Sequence, residues 1–167
     1  MSICESLAAE LRQEAKVTRR ILERVPEGSF DWKPHERSMS LGRLAGHVAE
    51  LPSLIAPALT QPELNFAAGN YSPFVPSSTA ELLERFDENI EKAVELLGRQ
   101  SDEKMGDAWR LRSGDQTFFN GPRVGAVRAL AFNHVVHHRG QLSVYLRLLD
   151  VPVPSIYGPS ADEAPGA

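Results

Sequence analysis

Cysteine is nearly absent from the chain: Cys4 is the only one among 167 residues. It has no partner for an internal disulfide, and its place near the terminus makes it incidental to any chemistry. Long apolar runs are missing as well. None approaches the length of a membrane span, and no charged segment leads into a short apolar stretch as in a signal peptide. Neither a transmembrane helix nor an export signal is expected, and the cytoplasm is the default compartment. A basic excess is also lacking. Eighteen Lys and Arg stand against 22 Asp and Glu, for a net charge of −4. The basic residues are scattered and form no phosphate-binding face, which argues against nucleic acid as a partner. The chain has no phosphate loop, no Ser/His/Asp set and no paired carboxylates in a helical core.

What is present is ordinary for a globular protein. The hydrophobic share is 42% and the charged share 24%. At this length a single domain over residues 1–167 is expected, with a core large enough to need no staples.

Four long segments carry helical periodicity. Residues 2 to about 25 repeat Ile3, Leu7, Leu11, Thr18 and Leu22, and Pro26-Glu27-Gly28 ends the run. The loop after it holds Phe30 and Trp32, which are expected to plug one end of the core. Ser38 or Ser40 can cap a second helix, with Leu44, His47 and Leu51 inward and Pro52 ending its regular part. The small residues Gly42, Ala45, Gly46 and Ala49 allow a neighbouring helix to come close. Residues 61–78 form a long connection. Ser78-Thr79-Ala80-Glu81 reads as a capping box opening a third helix, which Gly98 ends. Residues 101–121 read as irregular, with only a weak hairpin signal. Pro122 suits the first turn of a last helix running to about Leu149. The pattern predicts an all-α four-helix bundle with long connections and an extended tail from about residue 151.

The last helix carries the chemistry. His134 and His138 are four residues apart, so they share a face with their Cβ atoms roughly 5–6 Å apart. At 100° per residue they lie on a stripe with Val127, Leu130, Ala131, Gln141, Tyr145 and Leu148, while Arg139 and Arg147 point to solvent. Buried imidazoles need partners. For this pair alone, two neutral hydrogen-bonded core histidines are the plainer reading. It is no zinc-protease motif, because Val135 stands where the general-base glutamate would be. His47 on the second helix changes the balance. Two histidines from one helix and one from another make the three-ligand pattern of an open metal site. Imidazoles suit Zn, Ni, Cu and Fe alike. Gln141 and Tyr145 on the same face, and Glu50 beside His47, are the candidates for orienting substrate or acting as a base. Their alternatives are polar groups satisfied by neighbours and, for Glu50, a solvent-exposed side chain.

Trp32-Lys-Pro, the run Ser38-Met-Ser-Leu-Gly-Arg-Leu-Ala-Gly-His47, the run Asn133-His-Val-Val-His-His-Arg-Gly-Gln141 and the tail Tyr157-Gly-Pro-Ser-Ala-Asp-Glu163 together resemble the DinB family of the DinB/YfiT-like superfamily. The resemblance implies a four-helix bundle, often a homodimer, that holds one divalent ion, typically zinc or nickel, on three histidines. Those positions are His47, His134 and His138 here; His137 belongs to the motif without being a ligand. Related branches include thiol-dependent S-transferases and isomerases. The expected function is therefore a metal-dependent enzyme acting on a small molecule, a transferase using a low-molecular-weight thiol or a hydrolase. The alternatives are a non-catalytic metal-binding or stress-response interaction protein, and a structural helical dimer. For the tail, the prolines with Ile156 and Tyr157 predict packing back onto the bundle or a partner, with Tyr157 at least half buried and access to the metal narrowed.

Overall fold

The computed structural model describes residues 2–69 and 71–164. Helix α1 spans Ile3–Leu22 and opens on a capping box, in which the Ser2 hydroxyl accepts from the Glu5 N–H and the Glu5 carboxylate accepts from the Ser2 N–H. Helix α2, Leu41–Glu50, is capped by Ser40. Pro52 cannot donate a backbone hydrogen bond, and the chain tightens there into a 3₁₀ turn over Leu51–Leu54 before α3, Ile55–Thr60. Helix α4 is Thr79–Gly98, with Ser78 accepting from the Glu81 N–H. The Glu81 carboxylate turns outward and accepts from the Ser77 N–H and hydroxyl. After the single turn α5, Asp102–Met105, and a hairpin, the last rod begins. It comprises α6, Arg123–Val127, a π-helical turn over Arg128–Phe132, and α7, Asn133–Leu148.

The molecule is mostly helical, but it is not all-α. Strands Glu63–Asn65 (β1), Ala108–Ser113 (β2) and Gln116–Pro122 (β3) form a sheet in the order β1-β2-β3, β1 parallel to β2 and β2 antiparallel to β3. The physical reason is alternation. Trp109 and Leu111 turn into the core while Ala108 and Arg110 face out. Gly114, at φ 57°, takes the tight turn between Ser113 and Gln116, a conformation that favours glycine. Glu63 in β1 ties the sheet together by accepting from both Arg110 and Arg112 of β2. Pro122 falls one place earlier than expected: it ends β3 and precedes the first residue of α6.

Two core clusters fill the bundle. One gathers Leu7, Leu11, Leu59, Leu97 and Trp109 with Val127 and Phe132. The other gathers Ile21, Leu44, Val48, Phe86, Leu142 and Leu146, with Phe30 and Trp32 packed against it as the plug their sequence context suggested. Residues 134–138 lie on the stretch of the last rod between the two.

That rod does not keep a single helical phase. A π-turn takes up an extra residue and rotates the helix beyond it. The buried residues of α7 are Val135, His138, Arg139, Leu142 and Leu146, while Leu148 of the expected stripe is exposed. Arg139 is not a solvent residue. It is 1% exposed, and its Nη1 donates to Glu14 Oε2 at 2.8 Å and to Thr18 Oγ1 at 3.0 Å on α1. Arg147 is exposed as expected.

The tail does pack back, by different groups than expected. Glu163 accepts from the Ser155 N–H at 3.0 Å and pairs with Arg20 and Arg24 of α1. Asp162 accepts from the Val153 N–H at 2.8 Å and pairs with Arg147. Val153, Pro154 and Ser155 are buried, but Tyr157 is 67% exposed. The Arg139 guanidinium covers a face of its ring at 4.8 Å, and its hydroxyl donates to Glu14 at 2.7 Å. Deleting residues 155–167 removes the Glu163 clasp on α1 and is expected to lower the melting temperature. An unchanged melt would show that the tail rests on the bundle without holding it.

Candidate metal centre

Helix α2 supplies His47, and the first turn of α7 supplies His134, with His138 one turn on. One ligand nitrogen from each lies within 4.8 Å of the others. The ring centroids are 5.1 Å apart for His47 and His134, and 4.7 Å for His47 and His138. The π-turn ends immediately before Asn133, so it sets the phase at which His134 and His138 meet α2. Such turns recur at functional sites.

The protonation of the cluster suits ligation. Gln141 Oε1 has only lone pairs to offer, so its 2.7 Å contact makes His138 Nδ1 the donor. The Nε2 of His138 is left with a free lone pair. The Gln141 amide in turn donates to His137 Nε2 at 3.1 Å. One side chain thereby fixes two tautomers. Burial pushes the His138 pKa down to about 4; the Gln141 hydrogen bond opposes this and the neighbouring His47, His134 and His137 add to it. Burial also lowers the His134 pKa, with His47 reinforcing and the Leu130 carbonyl opposing. Both rings are therefore neutral at pH 7, as metal-ligating imidazoles must be.

His47 Nδ1 is buried and has no hydrogen-bond partner. Its neighbour is Glu50 Oε1 at 3.8 Å, beyond hydrogen-bond reach but close enough for charge to act. Glu50 is no solvent residue. Its carboxylate accepts from Arg43 Nη1 at 3.1 Å, from the Phe74 N–H at 3.0 Å and from the Tyr71 hydroxyl at 3.4 Å. Burial opposes its ionisation, but His47, the Phe74 N–H and Arg43 outweigh that and hold its pKa below the usual carboxylate value. A carboxylate behind a ligating imidazole is a recurrent support for metal sites. The neutral His134 and His138 rings and the three converging donors fit a divalent ion held by His47, His134 and His138.

The other candidates fall elsewhere. Tyr145 donates to the Met39 carbonyl at 3.2 Å and meets Trp32 edge-on at 5.7 Å, which makes it a structural residue. Gln141 and Tyr145 line a separate groove with Arg37 and Met39. Glu50, His47 and His134 instead line a cavity of about 660 Å³ with apolar walls that include Leu54, Phe66, Phe74 and Leu130. Among the described residues no part of the tail lines it, so residues 151–164 do not narrow access there. The roof comes from residues 71–76. Phe74 is tied to Glu50, and its carbonyl oxygen crowds the place where a Cβ on Gly46 would stand. At Gly46 the close approach is therefore made by a loop, while at Ala49 a helix does come close, α4 donating to the Ala49 carbonyl through Asn89.

A model of the DinB family matches residues 1–166. The uncharacterised protein YrdA of Bacillus subtilis (strain 168) is 26% identical over 151 residues, covering 90% of this chain and 85% of its own. YjoA of the same organism is 28% identical over 152 residues, covering 87% and 91%. A crystal structure of a DinB-like protein from Bacillus cereus ATCC 10987 superposes with a TM-score of 0.71 at 23% identity, over 93% of this chain and 98% of that one. The crystal structure of YjoA gives a TM-score of 0.69 at 20% identity, over 89% and 96%. Those two structures share the fold. Among the described residues, no helix is long and apolar enough to cross a membrane.

Proposed function

The chain belongs to the DinB family, and from that premise we propose that it binds one divalent transition ion, zinc or nickel, on His47, His134 and His138 and acts with it on a small molecule. The observation that carries this reading is the opening of the donor set onto the cavity: His47 and His134 are both ligand candidates and cavity walls. Among the described residues no fourth donor joins the three, and a site closed by a fourth side chain would instead favour a purely structural ion.

When bound, the ion would supply Lewis acidity toward a water, a thiol or a substrate oxygen. The chain's own residues do the rest. Gln141 holds His138 in the ligating tautomer. Glu50 sets the charge behind His47. The apolar walls exclude water from the substrate's body. The reaction class we favour is transfer of a low-molecular-weight thiol to an electrophile, with hydrolysis second. The working form we propose is a homodimer, in line with the exposed apolar pair Val144 and Leu148 on α7.

Metal analysis of the purified protein is expected to return one ion per chain, lost in His47→Ala. A screen of thiols against electrophiles is then expected to give turnover that needs the loaded metal. Turnover that survives metal removal would refute the reading. Light scattering on a sizing column checks the dimer.

A further inference from the structure

The wall of the cavity beside the histidines carries one cation that makes no close ion pair among the described residues, with Glu81 of the same helix near enough only for its field to act. Among the described residues its only carboxylate, Glu50, is already matched by Arg43, and its only guanidinium is Arg85 of α4. Among the described residues Arg85 takes part in no ion pair. It is fixed nonetheless: the guanidinium lies over the Phe74 ring, 4.8 Å from its centroid, and Phe74 is itself anchored to Glu50 through its N–H. A guanidinium held on an aromatic face keeps its edge donors free for a planar anion. One turn along α4, Asn89 lines the same cavity with its amide nitrogen committed to the Ala49 carbonyl at 2.9 Å, so its carbonyl oxygen remains available. The remaining walls are mostly apolar, and the volume of about 660 Å³ suits a small organic molecule.

We infer that Arg85 selects the substrate: the molecule that enters this cavity is an organic acid, with a carboxylate seated on Arg85 and a hydrocarbon or aromatic body against the Phe66 and Leu54 walls. This rests on the metal-site reading only for where the chemistry occurs. The anion seat itself belongs to α4 and the 71–76 roof.

The test compares phenylvalerate with its primary amide, two probes of nearly equal shape, by calorimetry on zinc-loaded and zinc-free protein. A single charge-assisted contact is expected to favour the acid by about tenfold. That preference should vanish in Arg85→Gln, survive in part in Arg85→Lys, and persist without zinc. Arg85 is exposed, so the variants should melt with the wild type. Equal binding of acid and amide by the wild type overturns the inference. So does an acid preference that Arg85→Gln retains, because the carboxylate would then be going to the ion. Failure of the protein to load either zinc or nickel would sink the metal reading alone, since the acid preference in the metal-free protein still decides the role of Arg85.

Discussion

Zinc at a hundredfold excess over its dissociation constant is expected to raise the stability of the protein by roughly 2.7 kcal/mol, because only the folded chain assembles the three histidines. In thermal melts a chelator should lower the midpoint of the wild type and leave that of His138→Ala unchanged. Gln141→Leu frees the His138 tautomer and should weaken zinc by about 10- to 100-fold while leaving the metal-free melt almost intact. Equal chelator effects on wild type and His138→Ala would mean that the ion sits elsewhere.

Acid adds a second arm. The His138 pKa is about 4 in the folded chain against 6.5 for a free histidine. Below 6.5 the unfolded chain takes up this proton first, so stability falls as the pH drops from 6.5 toward 4 and then levels off. For His138 alone the full loss is about 3 kcal/mol. Zinc-loaded protein should lose stability more steeply across that window, since protons also displace the metal. Metal-free protein with a flat stability between pH 7 and 4 would contradict the burial of that ring.

The histidine cluster was legible because its signals are local. The spacing of His134 and His138 and the Leu44-His47-Leu51 pattern place all three rings inward without knowledge of the rest of the fold. The caps at Ser40 and Ser78 were legible for the same reason. Glu50 was half legible. It stands three residues from His47, on the same face, but the loop that buries it comes from residues 71–76, which carry no periodicity. The cavity was not legible at all. It exists because Phe74 folds back onto Gly46, and Gly46 in sequence signals only a close approach, not by what. The sheet carried a signal in the alternation of Trp109 and Leu111 and in the turn glycine Gly114, outweighed by the shortness of the strands.

Arg139 was misplaced for a reason that bears on the whole rod. A constant 100° per residue from Val127 puts it outside; the π-turn over Arg128–Phe132 puts it inside. Its partners Glu14 and Thr18 lie 125 and 121 residues away, so nothing local announces them. A buried guanidinium is costly unless paired. Here Nη1 has Glu14 and Thr18, Tyr157 covers the plane, and Nη2 is buried without a partner. Glu14 is therefore the main compensation for a charge that is 1% exposed.

Removing one partner of such a pair is expected to cost about 3 kcal/mol or more, because it leaves the other charge buried alone. For a domain of this size that corresponds to roughly 6–12 °C of melting temperature. Glu14→Ala should show this loss. Arg139→Met should show a smaller one, since the Glu14 side chain is 20% exposed and can rehydrate. The double variant Glu14→Ala, Arg139→Met removes both charges. It should recover most of the stability lost by Glu14→Ala, giving a coupling energy of at least about 1 kcal/mol in the mutant cycle. Strict additivity would mean that the two side chains meet without holding each other. In that case the joint between α1 and α7 would rest on their apolar contacts, the Arg139–Thr18 hydrogen bond and the Glu163 clasp of the tail.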